Sequence, residues 1–88
     1  MKCFECKHKT DLYLSKEGIL IIKGDKGTRL DYEDIAMIYI PRRKKMTIIT
    51  VDHRMYTLKF CNLMQLDTAM KMFQEIGTEI KIYIGRIK

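Results

Sequence analysis

The sequence has few of the residues that enzymes and disulfide-stabilised proteins depend on. Its 88 residues include three cysteines, two histidines, one serine, one proline and no tryptophan. An odd number of cysteines does not form a disulfide framework. Neither histidine lies in a recognisable nucleophile or metalloenzyme motif. We therefore predict that the protein is not an enzyme.

The chain also lacks a long hydrophobic run. The longest, at residues 35–40, is far shorter than the roughly 20 residues that span a bilayer. The first residues contain no apolar stretch of the signal-peptide type. We expect no transmembrane segment and a cytoplasmic location. The length predicts a single domain, 1–88, in which residues 1–10 form a polar N-terminal segment with a CxxC pair.

Acidic residues are outnumbered by basic ones. Seventeen Lys and Arg face eleven Asp and Glu, which gives a net charge of +6. The imbalance is strongest in residues 41–60, where six cations accompany the single acid Asp52. A basic surface of this kind is typical of proteins that bind nucleic acid, an anionic membrane or an acidic protein.

Short β-type runs separated by turns make up most of the chain. We predict six strands, near residues 12–14, 19–23, 28–32, 35–40, 46–51 and 55–60. Residues 35–40 are apolar throughout, which predicts a central strand covered on both faces. Pro41 cannot donate a hydrogen bond to a sheet, so we expect it to end that strand.

A change of hydrophobic period marks a helix near the end of the chain. Apolar residues recur at helical spacing from Leu63 to Phe73, and Asn62 is a suitable N-cap for a helix near 63–76. Alternating isoleucines then predict a closing strand near 79–87. The predicted fold class is α+β. It is a small, mostly antiparallel β-roll or partial barrel, built as a meander of about six strands with one helix on its open side.

The turn after residue 40 is the strongest candidate for a binding site. Arg42, Arg43, Lys44 and Lys45 are consecutive and cannot all pair with local acids. With Arg54 and Lys59 they form the predicted nucleic-acid-binding set, with DNA as the favoured ligand. The alternative is that a lysine-rich hairpin only keeps the sheet soluble and unpaired.

The N-terminal cysteines supply a metal hypothesis. Cys3 and Cys6 have the CxxC spacing that lets two thiolates bind one zinc ion, and His8 is the nearest further ligand. The chain has no second CxxC pair. Zinc is therefore the one cofactor that the sequence suggests, with Cys3, Cys6 and His8 as its candidate ligands.

Residues 28–40 read Thr-Arg-Leu-Asp-Tyr-Glu-Asp-Ile-Ala-Met-Ile-Tyr-Ile, and this acidic corner before an apolar strand resembles the LytTR-type DNA-binding domains. The resemblance covers residues 18–76. It implies a β-roll that inserts loop side chains into DNA grooves, with a role in transcription regulation. The family's basic segment after the helix has no counterpart at residues 79–84, so no base-reading residue is carried over.

The same Tyr-Glu-Asp-Ile corner also resembles bacterial pleckstrin-homology-like and GRAM-like domains. That resemblance implies an interaction module for a protein or a lipid head group. Six predicted strands precede the helix here, whereas the family has seven. Homodimerisation is a further prediction, because Tyr83 and the alternating isoleucines would let the closing strand add to a partner's sheet edge.

Overall fold

A computed structural model describes residues 2–42, 44–76 and 80–85 of the chain. The first seven strands are β1 (Lys2–Cys6), β2 (Thr10–Leu14), β3 (Gly18–Lys23), β4 (Lys26–Asp31), β5 (Ile35–Arg42), β6 (Lys45–Thr50) and β7 (Met55–Lys59). Helix α1 (Leu63–Ile76) and strand β8 (Lys81–Ile84) follow. A 3-10 turn at Tyr32–Asp34 forms the predicted acidic corner between β4 and β5.

The strands form two four-stranded sheets. The first has the order β1-β2-β3-β4 with antiparallel neighbours, and the second has the order β7-β6-β5-β8, with β8 parallel to β5. The predicted α+β class and the mostly antiparallel pairing are confirmed. Both sheets remain open over the described ranges, so the chain does not form a closed barrel.

The two sheets meet where β1 passes the end of β7. The backbone N–H of Lys7 donates to the carbonyl of Lys59 at 2.8 Å, and Cys6 forms an isolated antiparallel bridge with Phe60. Next to this junction the rings of Phe4 and Phe60 pack edge to face, 6.0 Å apart. The junction brings the β1–β2 turn beside the second sheet, although the paired residues Lys7 and Lys59 are far apart in sequence.

Helix α1 packs its apolar stripe into the core. Leu66, Ala69 and Phe73 are buried, and the Phe73 ring lies 6.3 Å from that of Tyr32. The Asn62 side-chain oxygen accepts a hydrogen bond from the Gln65 N–H at 2.9 Å, which confirms the N-cap prediction. Within the described ranges, no helix is long and apolar enough to span a bilayer.

The strand count before the helix is seven, so the prediction of about six was wrong. The missed strand is β1, which pairs with β2 from Lys2 opposite Leu14 to Cys6 opposite Thr10. Only Phe4 and Cys6 are buried in it. Two apolar residues are too few for a clear alternating pattern in the sequence. This edge strand is stabilised instead by its contacts with β2 and β7, which the sequence pattern does not reveal.

Strand β5 also corrects two predictions. It lies between β6 and β8, as a central strand should, but it is not covered on both faces: the Tyr39 side chain is 38% exposed. Pro41 does not end the strand, which continues to Arg42. The pairing with β6 shifts register between Tyr39 and Arg42, and such an irregularity accommodates a residue that has no N–H to donate.

Candidate anion-binding site

The predicted cationic turn lies between β5 and β6. Arg42 ends β5 and Lys45 begins β6, where the two are register partners. Lys44 occupies the turn in the left-handed region, with φ of 66°, and its carbonyl accepts from the Phe60 N–H at 2.6 Å. Arg43 is outside the described residues.

Arg54 lies at the opposite end of the second sheet, in the turn between β6 and β7. Its Nε is 2.9 Å from an Asp52 carboxylate oxygen, and one of its NH groups donates to the Tyr56 hydroxyl at 3.0 Å. A hydrogen bond from the Thr50 hydroxyl, together with Arg54, lowers the pKa of Asp52. The charge of Arg54 is therefore paired locally, away from the other predicted cations.

Lys59 lies opposite Lys45 because β6 pairs with β7. The two lysines are direct register partners, so both side chains project from the same face of the sheet. Like charges placed opposite each other destabilise a strand pair. Two of the six predicted binding residues therefore form one cationic row on this face of the second sheet. Arg42 is the register partner of Lys45, but it lines a different cavity, beside residues of α1. The cationic row is a suitable binding site for an anion.

The β1–β2 turn brings further cations to this row. Lys7 is anchored there by its backbone bond to Lys59, and the next two residues, His8 and Lys9, have φ of 63° and 55°. A cavity of about 350 Å³ lies between this turn and the second sheet. We call it the lysine pocket; its lining residues are Lys7, His8, Thr10, Lys23, Lys45, Thr57 and Lys59.

The electrostatics of the lysine pocket favour an anion. Four lysines line it and no carboxylate does. Over the described ranges the ion pairs are Arg54–Asp52 and Lys71–Asp67, so none of the pocket lysines has a carboxylate within ion-pairing distance. The Thr57 hydroxyl, 3.2 Å from that of Thr47, adds a polar group at the wall. Such a pocket can bind an oxyanion by charge and hydrogen bonding.

The predicted zinc ligands are not brought together in this way. The period of a strand places Cys3 and Cys6 on opposite faces of β1, and the first is exposed whereas the second is buried. His8 lines the lysine pocket, where cations surround it. Over the described part of the chain, no group of three or more His, Cys, Asp or Glu residues is placed to hold a metal ion. The zinc hypothesis gains no support from this arrangement.

Sequence reasoning missed two of the pocket lysines, Lys7 and Lys23. Lys7 was part of the polar N-terminal segment, and Lys23 ends the hydrophobic strand β3. Neither is near residue 45 or 59 in sequence, and no local pattern connects them. Only the junction between β1 and β7 places them at the same cavity.

Comparisons with known proteins show a fold and no family. Neither the protein-family models nor the curated proteins contain a match. A chain in the solved structure of the Spt16D Pob3N heterodimer is similar in fold, with a TM-score of 0.71 and 13% sequence identity. The alignment covers 93% of this chain and 50% of that chain, so this chain spans half the length of its structural neighbour.

At this level of identity, the likeness concerns the fold alone. It supports a pleckstrin-homology-like fold, in agreement with the second of the two resemblances. It offers no support for a LytTR-type domain. The seven strands that precede α1 also remove the difference in strand number from the pleckstrin-like pattern. Strand β8 after the helix remains a departure from that pattern.

Proposed function

We propose that this protein is a non-enzymatic interaction module of pleckstrin-like fold that binds a phosphate-bearing ligand in the lysine pocket. The observation that carries the proposal is the convergence of Lys7, Lys23, Lys45 and Lys59 on one cavity that no carboxylate lines. The pleckstrin-like fold is consistent with a binding role. The absence of a recognisable catalytic motif in the sequence favours binding over chemistry.

Phosphate chemistry matches the pocket in charge and in size. Lysine ammonium groups are compact point charges that bind phosphate oxygens from several directions. The cavity of about 350 Å³ is close to the lower end of the range usual for small-ligand sites. A bound oxyanion would also relieve the repulsion between Lys45 and Lys59, which are held opposite each other by strand pairing.

Binding to DNA stays a prediction, and the same cations are its basis. Lys45 and Lys59 lie in one row, and Arg42 lines a separate cavity beside α1. Arg54 is paired with Asp52 at the other end of the sheet. This division reduces the continuous surface available to a nucleic-acid backbone. We therefore place nucleic acid second to a compact phosphate-bearing ligand.

The test measures binding of a fluorescent inositol trisphosphate to the protein and to a Lys7→Gln/Lys23→Gln variant. We expect the variant to bind about tenfold or more weakly, because two charge-assisted contacts are removed. The matched control, Lys16→Gln/Lys71→Gln, removes the same charge from exposed positions outside the pocket. Its affinity should stay within about twofold of the original.

Two further probes identify the source of the phosphate. Vesicles containing phosphatidylinositol bisphosphate test a lipid head group, and a generic duplex DNA tests nucleic acid across a salt series. The DNA prediction would be supported instead by DNA binding without binding of inositol trisphosphate. In that case the slope of log K against log salt concentration should be near −0.9 for each neutralised phosphate. Equal losses in the two double variants would contradict the assignment to the lysine pocket.

A further inference from the structure

The second sheet carries exposed apolar side chains on its outer face, the face turned away from the core and from α1. Met55 is 66% exposed, Tyr83 47% and Tyr39 38%. Other exposed large hydrophobic residues lie in the β6–β7 turn, at the start of α1 and at the end of β8. Over the described ranges, the strands of the first sheet have none. Exposed apolar groups of this kind often mark an interaction surface.

Strand register arranges the outer face of the second sheet into three parallel rows. Met37, Ile49 and Met55 form an apolar row across β5, β6 and β7. The next row consists of Tyr83, Tyr39, Thr47 and Thr57. The third is the cationic row already described, Lys45 and Lys59. In β6 and β7, apolar contact and positive charge therefore lie on opposite sides of a strip of hydroxyl groups, in which Thr47 is buried. In β8 the cation Lys81 continues the apolar row as the register partner of Met37.

The four strands of the second sheet contain no acidic residue. They contribute four cations, Arg42, Lys45, Lys59 and Lys81. By contrast, the strands of the first sheet include Glu5, Asp11 and Asp31. Charge complementarity thus calls for a partner that is negatively charged where it meets the cationic row, and apolar where it meets the methionines.

We propose that the outer face of the second sheet is a docking surface for an acidic amphipathic helix of a partner protein. Neighbouring strands lie about 4.8 Å apart, close to the 5.4 Å pitch of an α-helix. A helix laid across the strands therefore places about one turn over each strand. Four strands span about 15 Å, which about ten helical residues cover.

The width of the surface also fits a helix. Two residues along a strand advance about 6.7 Å, so the apolar and cationic rows are about 13 Å apart. A helix with its side chains is about 10–12 Å wide. Lying on the hydroxyl strip, it touches the methionine row with one flank and the cationic row with the other. Methionine side chains adapt readily to such a partner.

A second copy of this chain does not supply that helix. The apolar stripe of α1, with Leu66, Ala69 and Phe73, is buried in its own core. Each chain also carries a net charge of +6, so two copies repel each other at short range. A nucleic acid would leave the methionine row without apolar contact.

The proposal rests in part on the proposed function, because Lys45, Lys59 and Thr57 belong to both surfaces. The two surfaces differ in their remaining residues. Lys23 lines the lysine pocket and also a second cavity, together with Met55 and Thr57. Lys7 lines the lysine pocket, and Tyr39 lies on the outer face of the second sheet. Changes at Lys7 and at Tyr39 therefore test the two ideas separately.

The probe is a fluorescent synthetic 14-residue peptide with leucine at helical spacing and glutamate along one flank. A scrambled peptide of the same composition is the first control. We expect Met55→Glu and Tyr39→Glu each to weaken binding of the patterned peptide about tenfold or more, because each places an acid where apolar contact is needed. Met64→Glu is the matched control, since Met64 is 78% exposed on α1; its affinity should stay within about twofold.

Further measurements separate this proposal from the lysine pocket. Tyr39→Glu should leave binding of inositol trisphosphate within about twofold, and Lys7→Gln should leave peptide binding within about twofold. Amide chemical shifts on peptide addition should change in β5, β6 and β7. Equal binding of the scrambled peptide, equal losses at Met55 and Met64, or shift changes confined to the first sheet would overturn the proposal. So would binding to anionic vesicles with none to the peptide.

Discussion

Once the chain has folded, the residues around Cys6 change the chemistry of its thiol. Cys6 is buried beside Phe4 and Phe60, and burial, together with nearby Cys61, Asp11 and Cys3, raises the pKa of its thiol to about 12. Cys3 and Cys61 are exposed. The reactive form of cysteine is the thiolate, so Cys6 is the protected thiol of the three.

We expect a thiol-reactive dye at neutral pH to modify Cys3 and Cys61 in the folded protein while Cys6 remains unmodified. Mass spectrometry of the peptides gives the order of labelling, and labelling in denaturant is the control. Labelling of Cys6 as fast as the other two would contradict its burial. Because the pKa of Cys6 in the folded state is above the ordinary 9.0, its contribution to stability is present below pH 9 and is lost as the pH rises toward 12.

Gly18 decides how closely the start of β3 approaches the end of β4. It is the register partner of Asp31, and a Cβ atom at this position would lie 2.6 Å from the carbonyl oxygen of Leu30. That oxygen belongs to the backbone of β4, so it cannot move aside as a flexible side chain would. The Gly18 carbonyl also accepts from the Ser15 N–H at 3.0 Å, which closes the β2–β3 turn.

We predict that Gly18→Ala lowers the free energy of unfolding by about 1–3 kcal/mol, since overpacking forces the backbone to shift. Urea denaturation of the variant measures the change. Gly27→Ala is the matched control in the same sheet: its added Cβ would lie 3.7 Å from a Leu20 methyl group, an ordinary contact. A larger loss at Gly27 than at Gly18 would contradict this view of the β3–β4 pair.

At the scale of the elements, helices and strands followed local pattern where that pattern was strong. The helix predicted near 63–76 is Leu63–Ile76, because a continuous apolar stripe and an N-cap define it. The closing strand predicted near 79–87 appears as Lys81–Ile84 within the described residues. Strand β1 was missed because two buried residues, Phe4 and Cys6, make too weak an alternation.

For the whole molecule, association through β8 remains a prediction with a distinct dependence on salt. Strand β8 is at the edge of the second sheet, and its Tyr83 is 47% exposed. Pairing of β8 with a second copy would bring together two chains of charge +6. Salt screens that repulsion, so a dimer of this kind should become tighter as salt is added.

Sedimentation equilibrium at micromolar concentration tests the dimer. We expect association to increase between low and moderate salt, whereas binding of inositol trisphosphate to the lysine pocket should weaken over the same range. The opposite salt dependence of the two processes makes each a control for the other. A mass of 10.5 kDa at every salt concentration would show that β8 does not pair with a second copy.

The sequence by itself determined the class of fold, the helix and most strands, because side-chain period and turn residues act over a few neighbouring positions. It also showed that the protein is basic, with a net charge of +6. Only the tertiary structure decided that Lys7, Lys23, Lys45 and Lys59 share one cavity, that β8 runs parallel to β5, and that Arg54 is paired elsewhere. These features depend on which distant strands become neighbours, and the packing of the whole core sets that choice.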